Sequence, residues 1–452
     1  MKKSVVALSA VVGLSACGTL DIGDLNNPSL DDFKNNPTRA GVSSAATGLL
    51  LGHRASIAAQ TGYVAELGVI GREAYIFDGA DPRYVAELLG SALDPGGPAF
   101  GGNFWTGPYT NIRNAFTVQD ALAKVPGMSD AEKEAVRGFS KTIQALDFLI
   151  IINTRDTNGA PIDVNRQPGG PLAPIESKEA VFAHISTLLD EAKGHLQNGG
   201  GSFPFELSEG FASETREAAD GFDTPARFLK LNRALKARVS VYRGEFNEAL
   251  TALSESFLDN TKPLTVGAYN VFGEGTGETE SSLNSTNIYA HPSIVTDAER
   301  QQADNTLLDA RVLAKVEKTD DPGSAADGKL ASEWVFTMYP KAETRVPIIR
   351  NEELILLRAE ANIGLGQFPA AADDINFIRV NSGRLAPVGI TPANALDELL
   401  KQKRYSLLFE GGHRWIDLRR YGRLDTLPRE LSPNVAPHER FPIPANEMSG
   451  RQ

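Results

Sequence analysis

The chain has 452 residues, a formal net charge of −12 and a pI near 5.2. That surplus of acid argues against binding to nucleic acid or to an anionic surface. Hydrophobic residues make up 41% and charged residues 23%, which is ample for a globular core. One cysteine excludes an intramolecular disulfide, and 42 Gly with 26 Pro predict long loops.

Lys2 and Lys3 precede a short apolar run, Ser4 to Gly13, and then Leu14-Ser15-Ala16-Cys17. A positive region, an apolar run and small residues directly before a Cys form a bacterial lipoprotein signal. Residues 1–16 are expected to be removed as a signal peptide. Cys17 would become the lipidated first residue, anchored by several acyl chains. A plain secretory peptide with an incidental Cys is the competing reading. Residues 17–38 are polar and rich in Asn, Asp and Pro, and read as a tether. Beyond the signal no run of about 18 apolar residues occurs, so no transmembrane segment is expected.

Helices are predicted over Thr38–Gly52, Trp105–Leu122, Asp130–Asn153 and Ser177–Leu196. Ser129 and Glu132 are placed for a capping box at the third. Thr154–Glu176 is rich in Gly and Pro and reads as a loop. Two later segments are internally related. Ala237, Gly244, Phe246 and Ala249 match Ala359, Gly366, Phe368 and Ala371, each copy displaced by the same 122 residues (237 to 359). Each reads helix, Gly-aromatic turn, helix, as in tetratricopeptide units. The expected units lie near 130–196, 227–258 and 350–381, interrupted by an irregular insertion over 261–347.

The C-terminal part carries Glu410-Gly411-Gly412-His413-Arg414-Trp415-Ile416-Asp417-Leu418-Arg419-Arg420-Tyr421-Gly422. Arg414 and Asp417 stand three apart, so on a helix they share a face and are expected to pair. Trp415 is expected in the core. His413 beside the turn reads as structural. The tail, Arg440-Phe441-Pro442-Ile443-Pro444, is expected to run extended.

No HExxH, Walker A, GxSxG or cysteine cluster is present. No metal site, cofactor or catalytic residue is therefore expected, and the chain is read as a non-enzyme. Carboxylates are plentiful, and a secreted glycoside hydrolase is the enzymatic alternative. A helical-repeat protein–protein scaffold is the other.

The segment from Lys403 to Gly422 resembles the C-terminal signature of the SusD/RagB family, surface lipoproteins that cap TonB-dependent nutrient transporters. Glu410, Gly411, Arg414, Trp415, Asp417, Leu418, Arg420 and Gly422 fill the pattern. One extra residue separates Glu410 from Arg414, and Lys403 stands where many members have Glu. The Trp105 helix, the interrupted repeats and the proline-bearing tail are similar to the family as well. The resemblance implies a mainly α fold over 39–452, with interrupted helix pairs as scaffold and long irregular insertions forming the ligand-binding face. It implies an outer-membrane, surface-facing location, and capture of a glycan or peptide for a SusC-like TonB-dependent transporter. A glycan site needs an aromatic platform and a few polar groups. Trp334, Tyr339, Tyr289, Asp78, Arg83 and Trp105 are the candidate contacts. Packing in core or loop is the competing reading for each, above all for Trp105. Glu410, Arg414, Trp415, Asp417 and Arg420 are read as structural.

Overall fold

The computed structural model describes residues 30–96, 100–166, 169–212, 221–274 and 278–451. Cys17, the signal segment and most of the expected tether lie outside the described residues. The chain opens with α1 (Leu30–Asn35), α2 (Arg39–Arg54), α3 (Tyr63–Ile70), β1 (Ala74–Ile76) and α4 (Arg83–Ala86). Then come α5 (Asn103–Ala121), α6 (Asp130–Arg155), α7 (Lys178–Gln197), α8 (Pro225–Tyr242) and α9 (Phe246–Ser254). The insertion holds β2 (Gly267–Asn270), β3 (Ile288–Ala290), α10 (Ser293–Thr296), α11 (Ala310–Lys315), β4 (Val316–Ser324), β5 (Ala331–Phe336) and β6 (Val346–Arg350). Last are α12 (Asn351–Gly364), α13 (Phe368–Asn381), α14 (Ala395–Ser406), α15 (His413–Arg420) and α16 (Ala445–Ser449).

Hydroxyl caps set several of the long helix starts. Thr38 accepts from Gly41 N, and Ser177 from Ala180 N. Ser129 and Glu132 form a complete capping box at α6. Thr224 caps α8, with Pro225 in its first turn. Each such cap contributes roughly 0.5–2 kcal/mol. The helices then stack in succession, α5 on α6, α6 on α7, α7 on α8 and α8 on α9. The stack resumes past the insertion, α9 on α12, α12 on α13 and α13 on α14. Ala237, Ala249, Ala359 and Ala371 are all wholly buried, as close helix approach demands. Gly244 (φ 74°) and Gly366 (φ 72°) take the left-handed turn between the paired helices, which a side chain would strain.

Two expectations are corrected. The tether reading extended to residue 38, but Leu30–Asn35 is helical and Phe33 packs on the core. The sequence predicts an irregular 261–347, but the stretch holds β2 to β5 and the start of β6. These form three two-stranded antiparallel sheets, β1 with β3, β2 with β6 and β4 with β5. One large core lies among α2 and α5 to α9. A second joins α3, β1 and β3 to Phe409, Trp415 and Phe441. The tail is irregular through 441–444, and Phe441 N donates to the Thr154 carbonyl at 2.8 Å.

Candidate functional site

The antiparallel pairing of β1 with β3 places Tyr75 opposite Tyr289 and Ile76 opposite Ile288. The chain leaves β1 at Phe77, whose N–H donates to the Asn287 carbonyl at 2.9 Å and keeps the ring beside β3. Phe77 lies 5.6 Å from Tyr289 and 5.3 Å from Tyr75, centroid to centroid. Tyr75 is buried, while Phe77 and Tyr289 are half-buried. Such tilted contacts add about 0.5–1.5 kcal/mol per pair and hold the rings in place. The β4–β5 hairpin closes over one edge. Gly323 lies against the Tyr289 ring; a Cβ there would stand 2.3 Å from Cε2, so only glycine permits the approach. The Tyr289 hydroxyl donates to the Asp321 carbonyl at 3.3 Å. Burial, then the Asp321 charge, raises its pKa.

Beside this platform is an open cavity of ≈ 340 Å³, between the 76–86 segment and the hairpin tip at Ser324–Asp327. Phe77 and Asp78 line it. Asp78 is fixed: one carboxylate oxygen accepts from Ala80 N at 2.9 Å, the other from Gln60 Nε2 at 2.8 Å. Gln60 is itself held by the Ser285 hydroxyl at 2.9 Å. Each Asp78 oxygen retains acceptor capacity. The arrangement suits a flat molecule with an apolar face and hydroxyl groups at its edge.

The C-terminal signature forms a largely buried ionic network. Chain direction reverses through Phe409 (φ 56°), Gly411 (φ 140°) and Gly412 (φ 74°). Glu410 accepts from Arg350 Nε at 2.8 Å and pairs with Lys315 at 2.9 Å. Trp415 is fully buried and donates through Nε1 to the His438 carbonyl at 2.7 Å. The expected Arg414–Asp417 pair is absent. Asp417 pairs with Lys403 and Arg420, both at 2.7 Å. Arg414 turns the other way and donates to the Arg72 carbonyl at 2.7 Å. A shared helix face permits a pair, but a buried Lys on the packed α14 is the closer cation.

The family model of the SusD family matches residues 328–449, the segment that carries this network. Solved structures match over nearly the whole chain. A SusD-like carbohydrate binding protein from Bacteroides fragilis aligns with TM-score 0.69 at 13% identity, covering 93% of this chain and 99% of that one. Surface glycan-binding protein A from Bacteroides thetaiotaomicron, in complex with laminarihexaose, aligns with TM-score 0.68 at 12% identity, over 91% and 97% of the two chains. A laminarin binding SusD-like protein aligns with TM-score 0.65 at 17% identity, over 91% and 97%. The chain has the SusD-like fold, and its C-terminal part, residues 328–449, matches the SusD family. No curated protein matched its sequence.

Within this SusD-like fold the expected contacts scatter. Tyr289 packs on Phe77, and Asp78 lines the cavity beside that ring. Trp334 sits on β5 opposite Lys318, not in a loop, and is half-buried. It shares a strand face with Ser332, which donates to the Ala290 carbonyl at 2.6 Å, and with Phe336, which stacks on Phe409 at 4.2 Å. Tyr339 is 2% exposed, and its hydroxyl donates to the Phe409 carbonyl at 3.0 Å. It is a core residue, and the ligand reading of Tyr339 is corrected. Arg83 is outside the cavity wall; Asp81 holds it at 2.7 Å and it lies 5.2 Å over Phe100. Trp105 is buried under Arg155 (5.2 Å) and edge-on to Tyr109 (4.9 Å). It touches a different cavity of ≈ 570 Å³, along with Arg113, Arg166 and Arg451. That cavity is larger, but Trp105 is almost wholly buried in its wall and is held by Arg155 and Tyr109.

Phe77, Gln60 and Ser285 complete the platform. Phe77 carries no motif that sets it apart from the chain's other aromatics. Gln60 and Ser285 carry no sequence signal, because their roles arise from contacts 18 and 225 residues apart. Among the described residues no group of three or more His, Cys, Asp or Glu is placed to hold a metal ion, and no helix is long and apolar enough to cross a membrane.

Proposed function

We propose that this protein captures a glycan on the Phe77–Tyr289 platform and hands it to a SusC-like TonB-dependent transporter of the outer membrane. The observation that carries this reading is the half-buried aromatic pair beside an open cavity, with Asp78 fixed at its edge. Stacking supplies affinity and Asp78 accepts from sugar hydroxyls. Two structural relatives are named for laminarin or laminarihexaose binding, which supports a carbohydrate as the ligand class. The lipoprotein pattern ending at Cys17 supports an outer-membrane anchor. The protein binds and releases its ligand without cleaving it.

One aromatic platform implies weak binding, roughly micromolar to millimolar, which suits a ligand that must move on. The test is calorimetry of the mature protein with a panel of oligosaccharides that includes laminarihexaose, and product analysis after long incubation. Binding lost in Phe77→Ala, without products, supports the reading; wild-type binding in that variant or cleaved sugar refutes it. Cys17→Ala should move the full chain from the outer-membrane fraction to a soluble one.

A further inference from the structure

Between α14 and α15 lies a third cavity, of ≈ 250 Å³. It shares no lining residue with the platform cavity. At about 30 Å³ per water it has room for several water-sized groups. Four cations line it, Lys401, Lys403, Arg404 and Arg414, against two carboxylates, Asp297 and Asp417. This is an unusual local excess in a chain of net charge −12.

The partners of these cations differ. Lys401 pairs with Glu299 at 2.5 Å, and Lys403 with Glu360 and Asp417 at 2.8 and 2.7 Å. Arg404 spends one arm on Asp297 at 2.9 Å and the other on the Ser293 hydroxyl at 2.7 Å, leaving its Nε buried without a partner. Arg414 donates only to a neutral group, the Arg72 carbonyl. No carboxylate among the described residues lies within ion-pair distance of it. Two guanidiniums therefore face one cavity with a single carboxylate, Asp297, between them.

The electrostatics agree. Burial, then the charge of Arg404, pushes Arg414 down to about 9. Glu73 is a nearby carboxyl, but burial pushes it up to about 7, so it supplies only part of a charge at neutral pH. Bringing a real anion into the cavity would relieve this. Guanidinium forks take two oxygens of a carboxylate, sulfate or phosphate at once.

We propose that the cavity walled by Arg404, Arg414, Lys401 and Thr426 is an oxyanion-binding site, separate from the aromatic platform. Its ligand is a carboxylate or sulfate, either as a free ion or as the acidic substituent of a saccharide. Arg414 makes the principal contact, and the guanidinium charge of Arg404 stands beside it. Lys401 sits at the mouth and draws the anion in.

The test is calorimetry of the mature protein at constant ionic strength with sodium sulfate, sodium glucuronate and glucose, against sodium chloride. Saturable binding of sulfate or glucuronate is expected, with none of glucose. Sulfate alone identifies a site for the free ion, and glucuronate as well identifies one for an acidic sugar. Arg414→Gln should weaken the binding about tenfold or more, as the loss of a charge-assisted fork does. Thr426→Glu guards against a merely misfolded variant. Thr426 is exposed on the cavity wall, and a carboxylate there should occupy the site and abolish sulfate binding with melting unimpaired. The proposal is overturned if neither anion binds above chloride, or if folded Arg414→Gln and Thr426→Glu bind sulfate as the wild type does. Oligosaccharide binding at Phe77 should be unchanged in both variants, so either reading can fail alone.

Discussion

The ring of Phe246 occupies the space that a side chain on Gly364 would need. A Cβ built on Gly364 would lie 2.1 Å from Phe246 Cε2. The first residue of α9 thus seats itself on the last of α12, which is how the two helix pairs dock across the insertion. A helical Gly→Ala exchange ordinarily stabilises by about 0.5–1 kcal/mol. Here overlap with an aromatic ring costs roughly 1–3 kcal/mol and should win. Gly364→Ala is expected to lower the urea midpoint. A raised midpoint would mean that Phe246 swings aside and does not lock the joint.

Glu360 anchors the C-terminal network. It is fully buried and receives Lys403 at 2.8 Å, the Tyr421 hydroxyl at 2.8 Å and Arg420. Burial alone would favour its neutral form, but the charges of Arg420 and Lys403 outweigh this and hold it at about 2. The folded pKa is below the ordinary 4.5, so the carboxylate stabilises the fold above pH 4.5. That contribution is lost as pH falls from about 4.5 to about 2, and is on the order of 3 kcal/mol. Glu360→Gln leaves two buried cations short of a charge and should cost about 3–5 kcal/mol at pH 7. Denaturation across pH 2–7 checks both: the wild type should lose stability on the acid side, and the variant much less of it.

Glu73 has the opposite sign. It is buried, accepts weakly from Phe409 N at 3.4 Å, and has an oxygen with no partner. Burial, against the opposing charge of Arg414, raises its pKa from 4.5 to about 7. A carboxyl raised by folding is most comfortable below pH 4.5 and penalises the fold as pH climbs through 7. Glu73→Gln should therefore stabilise the protein at pH 8, on the order of 1–3 kcal/mol, and make no difference near pH 4. Equal stability of the two proteins at both pH values would dismiss this role.

Local features of the fold were legible from the residues, and long-range ones were not. The Ser129–Glu132 box and the paired Ala and Gly positions are short-range signals, and the helices start and turn where those residues stand. The hairpin of β4 and β5 was missed although Asp327-Gly328 is a turn dipeptide, because its strands alternate too weakly with Gly and Asp among them. Arg414 was paired by spacing with Asp417, yet its acceptor is the Arg72 carbonyl, 342 residues away. Tyr339 stands in a stretch that the sequence makes irregular and so offers as a ligand contact, whereas the fold packs it against Phe409. Tyr289 and Asp78 were both named, but only the β1–β3 pairing brings their neighbourhood together, and no spacing rule reaches across that distance.

The platform makes a separable prediction about Tyr289 and Trp334. Both are half-buried aromatics near the same hairpin, and both were natural candidates for stacking a sugar. Their surroundings differ. Tyr289 contacts Phe77, and Phe77 lines the open cavity. Trp334 lies on a strand face whose neighbours, Ser332 and Phe336, are tied to the Ala290 carbonyl and to Phe409. Tyr289→Ala removes part of the platform and leaves Phe77 loose, so it should weaken oligosaccharide binding by about 1 kcal/mol or more, at modest cost in stability. Trp334→Ala deletes packing against the second core and should cost about 2–4 kcal/mol of stability, toward the lower end because the ring is only half-buried. Its effect on affinity should be the smaller of the two. Calorimetry with laminarihexaose, paired with thermal melts of both variants, separates the roles. If Trp334→Ala melts like the wild type and binds tenfold or more weakly, at about 1.4 kcal/mol, the binding face extends along β5 and the platform described here is only part of it.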